Sequence, residues 1–227
     1  VPALGVLMLW TVFGVEYALD LDLGRFGILP RTISGLRGIL FAPLLHGDID
    51  HLIGNSVPIL VLGWCLVYFY PRVAGKVVLV TWLMGGLWVW IGARPNFHIG
   101  ASGVIYGLAA FLFFSGVIRR QRSLMAISLV VVFLYGSMVW GVLPLIPKVS
   151  WESHLWGAAV GVVMAFLYRH VAPAHVQDPK VVEDDVADDA PDAPWRMNSS
   201  QAHTVRIVYH VGDKAGTQVV MQDGNAV

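Results

Sequence analysis

Apolar residues run along this chain in blocks of up to about twenty, separated by short polar breaks. A helix of about 20 residues crosses a hydrocarbon core about 30 Å thick. Six such blocks are read, at residues 1–19, 51–70, 73–91, 100–118, 123–142 and 154–168. Asp20, Asp22 and Gly24 close the first, and Pro71-Arg72, Arg94-Pro95-Asn96, Arg119-Arg120-Gln121-Arg122 and the Pro144–Pro147 region mark later breaks. Residues 25–50 follow a different pattern. There Pro30, Gly35, Gly38 and Pro43 interrupt Phe26, Ile28, Leu29, Leu36, Ile39, Leu40 and Phe41. Too broken to span and too apolar to remain in water, this stretch is expected to lie on the membrane as short interfacial helices. Glu16 is read as an interfacial acid, and Pro58 as a potential kink in the second block. The pattern predicts an all-α polytopic membrane protein with six spans. An apolar block already open at Val1 leads us to expect sequence ahead of it.

Composition agrees with that reading. Of 227 residues, 56% are hydrophobic and only 13% charged, about half the charged share of a soluble domain. The formal net charge of zero conceals a segregation, because nine of the fifteen acids stand from Asp178 onward. Residues 1–170 therefore read as a basic membrane domain. Residues 171–200 read as an acidic, Pro-interrupted linker expected to be disordered. Residues 201–227 form a short tail whose alternation at 204–209 is compatible with a hairpin. No function is assigned to it, and nothing in the charge pattern points to nucleic acid. Cys65, inside an apolar block, is the single cysteine, which excludes an intramolecular disulfide and a Cys-rich metal site.

Six spans place both chain ends on one side. Arg72, Lys76, Arg119, Arg120, Arg122 and Arg169 fall on that side, whereas the opposite short loops carry only Arg94 and Lys148. Arg25, Arg31 and Arg37 of the long first loop weigh against the count, but the positive-inside bias is strongest in short loops. Both termini are expected in the cytoplasm.

Chemistry enters with Gly100-Ala101-Ser102-Gly103. Small residues on either side of a hydroxyl at a helix start leave it open to a partner, although such stretches also serve simple helix packing. With six alternating spans, the even-numbered blocks all begin on the outer side, which gathers His51, Ser102 and His154. Gly103 and Gly107 lie four apart, as do Gly157 and Gly161. If these two small-residue faces meet, Ser102 Oγ and His154 fall within hydrogen-bond reach. Serine needs a base to become a nucleophile, and His154 is the candidate base and later acid. His51 and Asn55, one helical turn apart, are candidate donors to an oxyanion, together with the backbone N–H of Ser102. No acid is placed in sequence to orient His154, so a Ser–His dyad is expected. Tyr106 either packs on the His154 ring or fills the core.

At this point the chain resembles the rhomboid intramembrane serine proteases. The matching residues are His51-Leu52-Ile53-Gly54-Asn55, Gly100-Ala101-Ser102-Gly103 and Ser153-His154-Leu155-Trp156-Gly157, in register on a six-span frame. The resemblance covers roughly residues 1–170. It implies a hydrolase without cofactor or metal that cuts transmembrane proteins near the outer surface of the membrane. It makes Ser102 the nucleophile and His154 the base, and places His51 and Asn55 in the oxyanion hole. It also casts residues 25–50 as a membrane-embedded first loop, and Trp140 with the 143–150 loop as a mobile gate for a substrate helix. A compact six-span form suggests a bacterial inner membrane.

Two other classes compete. A metal-dependent hydrolase or transporter would use His46, Asp48, Asp50, His51, His98 and His154, but no His-Glu-x-x-His pair is present and Gly-Ala-Ser-Gly would be idle. Asp48 and Asp50 read better as solvated loop acids, and His46 and His98 as structural donors. A non-catalytic fold that holds transmembrane clients would need the groove but no nucleophile.

Overall fold

Backbone in a medium without water must satisfy its own hydrogen bonds, and a helix does so within one segment. The apolar blocks accordingly form helices. A computed structural model describes residues 2–119, 124–126, 129–130, 133, 140–144 and 149–175. All belong to the first of two units, Val1–Gln177. Most of the fifth block, residues 145–148 of the expected gate loop, and the linker and tail from residue 176 onward lie outside the described residues.

The helices are α1 (Pro2–Ala18), α2 (Gly38–Phe41), α3 (Ile49–Phe69), α4 (Ala74–Gly92), α5 (Ser102–Arg119) and α6 (Trp151–Leu167). Among the described residues there is no strand, only an antiparallel bridge between Ile28 and His98. Helices α3, α4 and α5 are long and apolar enough to cross a membrane. Helices α1 and α6 have 17 residues each, about 25 Å at 1.5 Å per residue, the short end of the spanning range. Trp64, Leu79, Val163, Phe166 and other large apolar side chains face outward. This is a helical membrane protein.

Helix boundaries shift the candidate residues slightly. Asp48 is exposed, as expected of a loop acid, and its carboxylate also caps α3 by accepting the His51 N–H at 2.7 Å. His51 is thus the third residue of α3. Helix α6 begins three residues before His154, so the histidine sits at the end of its first turn rather than at its head. Pro58 lies inside an uninterrupted α3. Glu16 closes the end of α1 by accepting the Leu23 N–H at 2.9 Å.

Residues 24–44 form short helical turns (Gly24–Phe26, Ser34–Arg37, α2 and Ala42–Leu44). They are fastened to α4 and the loop after it. Trp82 Nε1 donates to the Ile39 carbonyl and Trp90 Nε1 to that of Thr32, both at 2.8 Å. Arg31 donates from its guanidinium to the Ala93 carbonyl at 2.9 Å. Each tryptophan half-buries its ring while its N–H finds a carbonyl, the arrangement that lets a large amphipathic ring sit in a membrane protein.

The centre of the bundle is apolar, with Leu62, Leu66, Val77, Phe111 and Leu112 fully enclosed between α3, α4 and α5. Its closest approach is between α5 and α6. A Cβ added at Gly157 would fall on the Gly103 backbone, and one added at Gly161 would fall on that of Gly107. The two helices therefore touch backbone to backbone, which only glycine permits. Gly161→Val is expected to destabilise the folded protein by about 3 kcal/mol through overpacking. Gly14→Ala on α1, where an added Cβ meets nothing within 4 Å, should leave stability unchanged or raise it by up to about 1 kcal/mol. Thermal unfolding in detergent micelles separates the two.

Candidate active site

Ser102 is the first residue of α5, and the loop before it is shaped by Gly100. That residue has φ +108°, a left-handed conformation that strains any side chain. A Cβ there would also lie 2.7 Å from His51 Nε2 and 3.6 Å from Asn55 Nδ2. The Gly100 N–H donates to the Ala42 carbonyl at 2.8 Å, so the first loop holds the approach to the serine in place.

His154, 8% exposed, brings Nε2 to 2.8 Å from Ser102 Oγ. Its Nδ1 lies 2.7 Å from the Gly141 carbonyl oxygen. A carbonyl can only accept, so Nδ1 carries the proton and Nε2 is left to accept from the Ser102 hydroxyl. This is the tautomer that a base toward serine requires. A neutral carbonyl does here the orienting work that a carboxylate would otherwise do. The Tyr106 ring, one turn beyond Ser102, stacks on His154 with centroids 4.1 Å apart and planes 7° from parallel. Close contact of Gly103 with Gly157 and Gly107 with Gly161 sets the separation of the two helices that carry the pair.

His51 and Asn55 converge on the same backbone from α3. Asn55 is buried, with Nδ2 2.9 Å from His46 Nε2. The amide nitrogen donates, His46 Nε2 accepts, and the second Nδ2 hydrogen remains available. The His46 ring meets that of His51 edge-on at 5.0 Å. Burial first, and the neighbouring His51 second, lower the His46 pKa to about 4. It therefore stays neutral, as an acceptor of the Asn55 amide must.

A second polar network, unseen in the sequence, joins the loop after α4 to the start of α6. Glu152 is 3% exposed and receives Arg94 on both oxygens, Nη2 reaching Oε2 at 3.2 Å. Arg94 also donates to the Val149 carbonyl at 3.1 Å. His98 Nε2 donates to the Arg94 carbonyl at 3.0 Å, which leaves Nδ1 to accept from Ser150, whose oxygen in turn accepts from Ser153 at 2.6 Å. Burial holds the His98 pKa below the usual histidine value. From sequence alone Arg94 counts only as a short-loop charge. The available signal is Glu152 itself, an acid two residues before the sixth apolar block, where a charge demands a partner.

Of the residues in the competing metal reading, His46 pairs with Asn55, His98 with Ser150, and Asp48 caps a helix. Among the described residues no three His, Cys, Asp or Glu side chains form a group that could hold a metal ion. Trp140 is 60% exposed and adjoins Gly141.

A helical membrane bundle with a hydrogen-bonded serine and histidine at one end defines a narrow class. The Rhomboid domain family matches residues 34–171, more than half of the chain, and the chain belongs to this family. It is 40% identical over 150 residues to an uncharacterized protein of Mycobacterium tuberculosis and to one of Mycobacterium bovis, covering 62% of this chain and 62% of each relative. An uncharacterized protein of Mycobacterium leprae is 39% identical over 155 residues, covering 64% of this chain and 61% of that protein. The chain thus spans somewhat under two thirds of the length of the curated relatives it matches.

Two outcomes follow from the networks. Folded His46 titrates at about 4 against an ordinary 6.5, so on acidification the unfolded chain takes up the proton first. The contribution of His46 to stability is full above about pH 6.5 and is lost as pH falls toward about 4. Melting temperature measured across that window should fall less steeply in His46→Gln than in the wild type. Arg94→Ala should destabilise more than Glu152→Gln, by about 1–3 kcal/mol, because it strands a buried carboxylate whereas glutamine still accepts from Arg94. Thermal unfolding of the two variants checks the order.

Proposed function

We propose that this chain is an intramembrane serine endopeptidase that cleaves transmembrane segments of other proteins. The observation that carries the reading is the 2.8 Å contact of Ser102 Oγ with His154 Nε2 in the tautomer set by the Gly141 carbonyl. Ser102 Oγ attacks the scissile carbonyl carbon while its proton passes to His154 Nε2. The oxyanion is met by His51, Asn55 and the Ser102 backbone N–H. His154 then protonates the leaving amine as the C–N bond breaks, leaving an acyl-enzyme. Water, giving its proton to His154, attacks that ester and releases the serine. No cofactor takes part.

Tyr106 keeps the His154 ring in plane by stacking, and Gly100, Gly103 and Gly157 admit the close approaches the site needs. The frame has six spans with both termini in the cytoplasm of a bacterial inner membrane, and the site opens to the outer side. Trp140 and the loop after it act as the gate for a substrate helix. A helical substrate has its carbonyls occupied, so helix-breaking or small residues near the cut lower the cost of unwinding it. Lipid surrounds the bundle.

Labelling of the detergent-purified protein by a fluorophosphonate probe tests the chemistry. Wild type should label at Ser102, and Ser102→Ala and His154→Ala should lose cleavage of a transmembrane substrate by at least about 10³-fold. Cleavage that survives Ser102→Ala and stops with a chelator would sink the dyad. Folded wild type that never labels would favour the client-holding fold.

A further inference from the structure

At the far side of α5 from His154 the bundle is not closed. Helices α1, α3, α4 and α5, with Pro43 and Leu44 of the first loop, enclose a cavity of about 500 Å³. Its wall offers no polar group to a ligand. The one side chain there with a polar atom, Trp82, spends its N–H on the Ile39 carbonyl. Water requires two to four polar partners and is not held in such a place. The cavity is also not an accident of crowding. Gly5 and Gly75 stand on its wall, and a Cβ added at either meets nothing within 4 Å.

We infer that this cavity binds one acyl chain of an anionic glycerophospholipid, with the phosphate held by Arg72 and Lys76. Three observations carry the assignment. First, an apolar cavity of about 150 Å³ takes a benzene, so one about three times larger accommodates a hydrocarbon chain on the order of 18 carbons. Second, Arg72 and Lys76 adjoin the wall residues Ala74 and Gly75 and are both exposed. Neither makes a hydrogen bond or ion pair among the described residues. Third, the described acids (Glu16, Asp20, Asp22, Asp48, Asp50 and Glu152) stand at or near the ends of α1, α3 and α6 that face the candidate active site. Among the described residues, the end of the cavity near Arg72 and Lys76 therefore carries positive charge alone. Basic residues at a gap between membrane helices recognise anionic headgroups, and apolar walls without hydrogen-bonding groups recognise the chain.

The other end of the cavity is closed by Ala101 and Val104, which flank Ser102-Gly103. An acyl chain in place therefore supports the wall from which the serine projects. The assignment stands on the cavity and its charges, and it holds whether or not Ser102 is a nucleophile.

Native mass spectrometry of the full chain in detergent, titrated with palmitoyl-oleoyl phosphatidylglycerol or with the phosphatidylcholine of the same chains, tests it. Wild type is expected to bind one phosphatidylglycerol with roughly tenfold preference over phosphatidylcholine. Arg72→Gln with Lys76→Gln should abolish that preference and leave phosphatidylcholine binding unchanged. Gly75→Leu, which fills the cavity, should weaken both lipids by about tenfold or more without lowering the melting temperature of the lipid-free protein. If Gly75→Leu does not fold, Gly5→Leu fills the cavity from the opposite wall. Equal affinity of wild type for the two lipids, as would follow if the acidic tail covered the two cations, overturns the proposal. So does lipid binding that neither cavity-filling variant changes.

Discussion

The contact between the backbones of α5 and α6 is the constraint on which the candidate site depends. Gly103 faces Gly157 and Gly107 faces Gly161 so closely that no side chain fits between them. In a membrane, where apolar side chains gain little by leaving lipid for protein, such backbone proximity and the van der Waals contact it allows are what hold helices together. The same proximity sets the geometry of the candidate site. One turn along from these contacts, Ser102 and His154 extend from the two helices, and their separation of 2.8 Å is set by the interaxial distance. A larger residue at Gly157 or Gly161 would push α5 and α6 apart, and the serine and histidine with them.

Around that pair, several polar groups pair with one another with little net charge. Gly141 supplies a carbonyl to His154, His46 receives the Asn55 amide while neutral, and His98 takes the Ser150 hydroxyl while donating to the Arg94 carbonyl. An uncompensated ion at this depth would cost more than the hydrogen bonds return. Glu152 is the one buried charge described here, and it is paired at once with Arg94. Since Glu152 lies two residues before His154 and Arg94 lies in the loop that leads toward Ser102, the ion pair ties together the two segments that present the serine and the histidine. The first loop completes the frame from the other side, through the Ala42 carbonyl that holds the Gly100 N–H.

The fold class was legible because the membrane imposes a coarse rule on sequence. Blocks of apolar residues broken by Pro, Gly and charge must be helices, and the ends of the described helices fall within a few residues of those breaks. Ser102, His154, His51 and Asn55 stood out because polar residues near the ends of apolar blocks are uncommon and need a reason. Asp48 is exposed, as its sequence context suggests, but its capping of α3 is not legible there, since a cap depends on where the helix begins and sequence leaves that point uncertain by a few residues. The Arg94–Glu152 pair was missed because its members are 58 positions apart and nothing local links them.

By itself, then, the chain's pattern determined that this is a helical membrane protein, where its helices run, and which side chains are candidates for chemistry. These are local properties, set by hydrophobicity against lipid and by the backbone's need for internal hydrogen bonds. Beyond the expected approach of Ser102 and His154, tertiary structure decided which partners the candidates meet. The His154 tautomer rests on a carbonyl 13 residues away, the Asn55 orientation on His46, and the Gly100 conformation on room left by His51. Such pairings arise only when helices from distant parts of the chain are brought to one end of the bundle, because hydrogen bonds depend on separations of tenths of an ångström, which hydrophobic periodicity does not encode.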